Sequence, residues 1–440
     1  MLLDFMKFCA TWCLLLLVLL VCDAREVLPP HAYENRTLYP VLPVYDRRPL
    51  LSIGVLSDIQ YTDQEEASRR HFRLSLNKLK HAVSEMNANR SHLDLVMHLG
   101  DTVNDNIKKN IVEINSRLKE LRFPFFQVLG NHDFQLLSEE QRGQVPHLLG
   151  MPARYYSLRA GEGSAFLLIV LDGTDMSLYA TTAGTVRRAE AEAMARRYRS
   201  RKSMRDFNGG IGEEQMRWLR AQLEYATSQN LVTLVLCHFP MYPYKQVLNL
   251  WNDVEVVQLL SQYPCVAAVV TGHTHRWEYK TLLVPHRNGS FTIHFITFGG
   301  IVQSPFTSWG FLEVYEKELH AHGLTFGRAF DYHMPIGGMR RLGAEMSPDA
   351  IRMPIRRRAV TLVSRCGDGD GQTRPPLQEV VQLAAIDTDE LPSSIDAGWV
   401  LGLPLVLIVA VLVCMRCWRY RRSQRASTNG GLEGSGRWKN

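Results

Sequence analysis

Seven short apolar runs constrain this chain more than any other feature: "LSIGVLSD", "LDLVMHLGD", "FPFFQVLGNHD", "AFLLIVLDG", "LVTLVLCH", "VAAVVTGH" and "FTIHFITFGG". Each suits a buried β-strand and is too short for a buried helix. Helical patterns separate them. Phe72, Leu76, Leu79, Val83 and Met86 recur at helical spacing after the first run, with Asp63 a candidate cap, and "GEEQMRWLRAQLEYA" is amphipathic before the fifth. Strands alternating with helices predict an α/β domain over residues 51–330. Residues 181–205, polar and rich in arginine, read as an inserted helix or a solvated excursion.

The two ends carry hydrophobic segments of different kinds. In residues 1–24, Lys7 precedes a short apolar stretch and small residues near Ala24, the pattern of a secretory signal peptide. Residues 25–50 form a proline-spotted lead-in. Residues 398–415 carry no charge and suffice to cross a bilayer as a helix, and Arg416, Arg419, Arg421 and Arg422 follow at once. That basic stop predicts a cytoplasmic tail, 416–440, with the main body extracellular or lumenal. The expectation is a single-pass type I membrane protein of the cell surface or an endomembrane, with the polar segment 331–397 as a stalk. Sequons at Asn35, Asn89 and Asn288 agree with a secreted glycoprotein.

Composition narrows the partners. The formal charge of +6 over 440 residues is small, and the cluster Arg352, Arg356, Arg357 and Arg358 sits in no nucleic-acid-binding motif, so no nucleic acid is expected. Of eight cysteines, Cys9, Cys13 and Cys22 fall in the leader and Cys414 and Cys417 at the membrane edge. Cys237, Cys265 and Cys366 remain, too few and too widely spaced for a disulfide framework. Cys237 and Cys265 flank apolar runs and read as packed core thiols.

Chemistry collects where the runs end. The first ends in Asp58-Ile59-Gln60, the second in Gly100-Asp101 with Asn104 beyond, and the third in Gly130-Asn131-His132-Asp133. The fifth ends in Cys237-His238 and the sixth in Gly272-His273-Thr274-His275. A lone histidine after a strand is more often structural. Here five loops bring carboxylates, amides and histidines to the carboxyl ends of strands, where open α/β sheets gather their ligands.

These blocks, D-x-Q, GD, GNHD, a histidine after a strand and GHTH, resemble the calcineurin-like metallophosphoesterases over about residues 51–330. The resemblance implies a four-layered α/β/β/α sandwich with two divalent metals held in its loops. By motif position, Asp58, Gln60 and His275 would bind one metal, Asn131, His238 and His273 the other, and Asp101 would bridge them. His132 would lie beside the metals without binding them, as a catalytic group that stabilises developing charge or protonates the leaving group, with Asp133 orienting it. Two positions depart from the pattern: Gln60 stands where the family usually has histidine, and Asn104 where it usually has aspartate. An amide oxygen is a harder ligand than imidazole, which tilts the site toward manganese or magnesium, with iron and zinc as alternatives.

The stretches "DIQY", "DFNGGIGEEQMRWL", "HFPMYP" and "GHTHRWEY" together are similar to the manganese-dependent ADP-ribose/CDP-alcohol diphosphatases. That resemblance implies a small phosphorylated substrate, a nucleotide conjugate whose pyrophosphate bond is cut by metal-activated hydroxide. Asn208, Gly209 and Gly210 suit either a loop near the substrate or the approach to a helix. Tyr61, Trp277 and Tyr279 suit base stacking or, better, core and rim packing, and Asp172 and Asp175 a capped turn. An acid phosphatase or sphingomyelinase-like phosphodiesterase on the same fold, or a non-catalytic surface receptor, are the alternative readings.

Overall fold

The structure, a computed structural model, describes residues 39–40, 42, 47–89, 93–287, 289–336 and 359–366. The segments expected as signal peptide, bilayer helix and cytoplasmic tail lie outside the described residues, as do most of the lead-in, Asn35, Asn288 and the side chain of Asn89. Among the described residues no helix is long and apolar enough to cross a membrane.

Among the described residues six strands form one sheet and seven the other. In chain order the first half contributes β1 (Leu51–Leu56), α1 (Ser75–Asn89), β2 (Leu95–His98), α2 (Ile107–Leu118), β3 (Phe125–Gln127), β4 (Tyr156–Ala160), β5 (Phe166–Val170) and α3 (Val186–Arg197). There follow α4 (Glu213–Ser228), β6 (Val232–Leu236), α5 (Asp253–Leu260), β7 (Val266–Thr271), β8 (Glu278–His286), β9 (Gly289–Thr297), β10 (Trp309–Val314), β11 (Glu318–Thr325), β12 (Arg328–Pro335) and β13 (Thr361–Arg365). The first sheet runs β12-β11-β10-β1-β2-β3, and the second β13-β4-β5-β6-β7-β9-β8. In the first, β1, β2 and β3 are parallel; in the second, β5, β6, β7 and β9 are parallel.

Strand period divides the core into layers. Along β5, Phe166, Leu168 and Val170 join a cluster shared with β1 and β2, while Leu167 and Ile169 join a second cluster with Leu219 and Leu223 of α4 and Val256, Val257 and Leu260 of α5. The first cluster fills the seam between the sheets and continues under α1 and α2; the second lies under α4 and α5. On the other side Met86 of α1 packs over Gly54 and Val96, and Ile107, Ile111 and Ile114 of α2 are buried. The layers are therefore α/β/β/α, and all seven apolar runs are strands.

Several elements left no comparable mark. The antiparallel strands β8, β11 and β12 carry polar or charged residues at many positions, and Glu313 interrupts β10. The expected stalk is partly built into the domain: β12 runs to Pro335, and Thr361–Arg365 pairs with β4 as an edge strand, with Trp218 Nε1 donating to Ser364 Oγ at 3.0 Å. Asp63 does not cap α1, which starts at Ser75; it accepts from Arg73 Nε at 2.7 Å. Residues 181–205 contain α3, tied down by Arg201 on Glu255 and Arg187 on Asp175. Cys237, Cys265 and Cys366 are free thiols, Cys237 buried beneath α4 and α5.

Candidate metal centre

The turns after β1, β2, β3, β6 and β7 converge at one edge. Five of the seven candidate ligands there hold left-handed backbone: Asp58 (φ 48), Gln60 (φ 43), Asp101 (φ 57), His273 (φ 66) and His275 (φ 59). Such conformations cost on the order of 1–3 kcal/mol each in non-glycine residues and persist only where surroundings impose them. Gly100 (φ 97) is required here, because a Cβ would lie 2.7 Å from His238 Nδ1.

Two groups of donor atoms result, and they share a residue. Asp101, His238 and His273 form one, Asp58, Asp101 and His275 the other, with ligand atoms in each within 4.8 Å of one another. Asp101 Oδ2 lies 3.3 Å from His238 Nε2 and 2.7 Å from the Gln60 amide nitrogen, which is itself 3.2 Å from His275 Nε2. His275 Nε2 is 3.3 Å from Asp58 Oδ1, and His273 Nδ1 is 3.1 Å from His238 Nε2. Asp58 Oδ1, Gln60 Oε1 and Asn131 Oδ1 are buried and have no hydrogen bond. Stranded buried oxygens are costly, and these three are hard donors. The set fits two divalent cations, and a half-turn of the Gln60 amide exchanges its oxygen for its nitrogen.

Each histidine spends its outward nitrogen on an oxygen acceptor. His238 Nδ1–H donates to the Leu99 carbonyl at 2.8 Å, His275 Nδ1–H to Gln303 Oε1 at 2.7 Å, and His273 Nε2–H to Asn208 Oδ1 at 3.0 Å. The other nitrogen of each ring faces the centre and is the one a neutral ring leaves without a proton, the arrangement that orients imidazoles for metals. Asn208 is fixed in turn, its amide donating to Ser203 O at 2.8 Å and Val247 O at 2.7 Å.

Charges follow. Burial would raise Asp58 and Asp101, yet the histidines, His275 beside Asp58 and His238 beside Asp101, hold both below the usual carboxylate range. Burial would lower His238, but Asp101 and Asp58 push it up to about 9. Burial holds His273 well below the ordinary imidazole value and His132 below it.

His132 stands beside this centre with its backbone N–H on Asp101 Oδ1 at 2.8 Å. Its Nδ1 faces the Asn104 carbonyl at 3.1 Å and its Nε2 faces Arg70 Nη1 at 3.4 Å. Asp133 does not orient it. The Asp133 carboxylate accepts from Thr102 N at 2.8 Å, Val103 N at 3.3 Å and Gly130 N at 2.9 Å, binding the second loop to the third.

A profile of the family described as calcineurin-like phosphoesterase matches residues 51–277. The chain belongs to that family. The manganese-dependent ADP-ribose/CDP-alcohol diphosphatase of Mus musculus is 26% identical to it over 306 residues, 61% of this chain and 88% of that protein. The protein of the same name from Arabidopsis thaliana is 26% identical over 317 residues, 65% of this chain and 98% of its own. A dimetal phosphatase structure from Danio rerio superposes with a TM-score of 0.55 at 20% identity, covering 66% of this chain and 100% of that one, and shows the shared fold. The chain is accordingly a metal-dependent phosphoesterase.

In this phosphoesterase the sequence pattern missed three residues at the centre. Gln303 lies in the turn Ile301–Gln303 after β9, held by buried Lys78, whose Nζ donates to Ser304 O at 2.6 Å. Arg70 precedes α1, and its guanidinium reaches His132. Phe207, 43% exposed, has its ring centre 6.2 Å from that of His273. The other aromatics pack: Trp277 stacks on Phe330 at 4.1 Å, Tyr279 hydroxyl meets His294 at 2.9 Å, and Tyr61 lies against the core. Asp172 accepts from Thr174 N at 2.8 Å and holds its turn, while Asp175 binds Arg187 and Gly212 N.

Proposed function

We propose that this phosphoesterase cleaves the pyrophosphate bond of a nucleotide conjugate of the ADP-ribose or CDP-alcohol type, with two manganese ions at the centre. The observation that carries the dimetal chemistry is the sharing of Asp101 by two donor groups. Asp58, Gln60 and His275 would hold one ion and Asn131, His238 and His273 the other. The substrate class is supported by the names of the relatives and by the exposed ring of Phe207 beside His273.

Divalent ions in such a pair neutralise phosphate oxygens and lower the pKa of water toward neutrality. The chain's own residues supply the rest. Asp58 and Asp101 offset only half of the four positive charges of two divalent ions, so the loaded centre remains attractive to an anionic pyrophosphate. With Nδ1–H engaged by the Asn104 carbonyl, His132 turns the Nε2 lone pair of its neutral ring outward, and only the protonated ring can donate from Nε2 to the leaving oxygen. Arg70, at that same nitrogen, can hold a phosphate oxygen. A pyrophosphate leaves as a phosphate, so charge stabilisation by His132 and Arg70 outweighs acid catalysis.

The test is turnover by the purified chain with manganese. ADP-ribose or a CDP-alcohol should be split into two monophosphates faster than AMP is hydrolysed. Faster cleavage of AMP or sphingomyelin would defeat the substrate assignment and leave the dimetal chemistry standing. No turnover at full metal occupancy would favour a surface receptor.

The same reading places the centre outside the cytosol, because residues 398–415 are uncharged and a run of arginines follows. Protease added to intact cells should remove the phosphoesterase domain and spare the tail. A domain on the cytosolic side would overturn this topology.

A further inference from the structure

We propose that the alcohol half of the substrate is a lipid, a nucleoside diphosphate joined to diacylglycerol, taken from an anionic membrane surface against which the rim of the metal centre rests. This builds on the pyrophosphate reading above and adds the class of the leaving half. Among the described residues seven large hydrophobic side chains are exposed, and four of them, Leu136, Val186, Phe207 and Val247, stand on segments that border the centre. The other three lie on α2, β8 and β12.

Hydrogen bonds place the four. Phe207 precedes Asn208, which accepts from His273 Nε2 at 3.0 Å and donates to the Val247 carbonyl at 2.7 Å. Leu136 follows His132 by four residues on the third loop. That loop meets the approach to α3, where Ala183 N donates to Glu139 Oε2 at 3.1 Å and Arg142 Nη1 to Thr181 O at 2.6 Å. Val186 is the first residue of α3. Leu136 is 80% exposed and Val186 77%. Leu136 also holds left-handed backbone (φ 59), which leucine rarely takes. Single exposed apolar residues are ordinary, but several about one polar site mark a surface that binds something apolar.

Charge identifies the partner. Residues 186–207 carry eight basic side chains and three acidic ones. Arg187 and Arg201 bind Asp175 and Glu255, whereas Arg199, Lys202 and Arg205 stand exposed. Apolar side chains flanked by cations suit the boundary between the headgroups and acyl chains of an anionic bilayer. On the topology proposed above, the uncharged residues 398–415 keep a bilayer within reach.

Position identifies the lipid half. His132 and Arg70 serve the leaving phosphate, and Leu136 lies on the loop of His132, so the group esterified to that phosphate would run out toward Leu136 and Val186. Acyl chains would find apolar side chains there; a choline or a ribose would leave them in water. Water's oxygen bonds to the nucleotide phosphorus and the bond from that phosphorus to the bridging oxygen breaks. Phosphatidate leaves with the bridging oxygen, a nucleoside monophosphate remains, and the protons of the water pass to solvent.

The experiment gives the full-length chain manganese and CDP-diacylglycerol in mixed micelles of a neutral detergent, with soluble CDP-choline as the reference. Hydrolysis of the lipid should exceed that of CDP-choline in kcat/KM. Phosphatidylserine in the micelles should raise the lipid rate, and high salt or Lys202→Glu should reduce the rise. Leu136→Ser and Val186→Ser change side chains outside the core. Each should cut the lipid rate by about three- to tenfold and leave CDP-choline turnover as it was. CDP-choline split as fast as the lipid, or equal losses on both substrates, would overturn the lipid assignment, leave the pyrophosphate reading standing and point to a protein partner on the rim. Hydrolysis of neither at full metal occupancy would defeat both.

Discussion

The Nε2–H of His273 donates to Oδ1 of Asn208 at 3.0 Å, so a residue of the loop before α4 decides which ring nitrogen faces the metal centre. Asn208→Ala frees that ring to turn. Metal affinity should fall by about 10–100-fold, the usual effect of losing such a partner. Turnover at low manganese should drop and largely return at saturating manganese. A variant whose activity is unchanged at every manganese concentration would exclude the orienting role.

Gln303 stands in the same relation to His275, at 2.7 Å. Gln303→Ala should likewise raise the manganese needed for half-maximal activity. Gln303→Glu, which keeps an acceptor at that place, should rescue most of the loss. Rescue separates orientation of His275 from mere support of the turn.

His132 touches Asp101 through its backbone and keeps its ring outside both donor groups. His132→Ala should therefore bind two metals and lose turnover by roughly 10²–10⁴-fold if the ring works as an acid or base. Asp101→Asn should lose both metal and activity, since both donor groups share its carboxylate. Equal metal loss in the two variants would show that His132 is itself a ligand.

The sequence was legible where side chains must be apolar or must carry chemistry. The parallel strands are buried on both faces and read as continuous apolar runs, and their carboxyl ends named the donor groups. The antiparallel strands were not: His320, His322 and Glu313 interrupt β10 and β11 with polar residues whose partners lie on neighbouring strands. Supporting residues escaped for a similar reason. Gln303 and Arg70 act on His275 and His132 from distant segments, and no local spacing announces them. Asp133 misled because adjacency in sequence to His132 is not adjacency of side chains; its carboxylate turns inward to three backbone N–H groups.

Metal removal should reach beyond activity. Five ligands hold left-handed backbone and three buried oxygens have no hydrogen bond, so the apo centre is strained. Ligands that bind only the folded state add about 2.7 kcal/mol at a concentration one hundred times the dissociation constant. Chelation should lower the melting temperature by several degrees, and manganese should restore it. A melting temperature indifferent to both would mean the loops are held by the protein alone.

Phe207 tests the substrate assignment from the ring's side. It is 43% exposed beside His273, where solvent rather than core covers its face, so its removal leaves no large internal cavity. Stacking of a base on an aromatic ring is worth about 1–3 kcal/mol, and an edge as exposed as this one belongs toward the lower figure. Phe207→Ala should raise KM for ADP-ribose by about five- to tenfold and leave kcat nearly unchanged. The same variant should hydrolyse bis-p-nitrophenyl phosphate, which has no nucleobase, with unaltered KM. Equal losses on both substrates would show that Phe207 supports His273 instead, and an unchanged KM for ADP-ribose would place the base elsewhere.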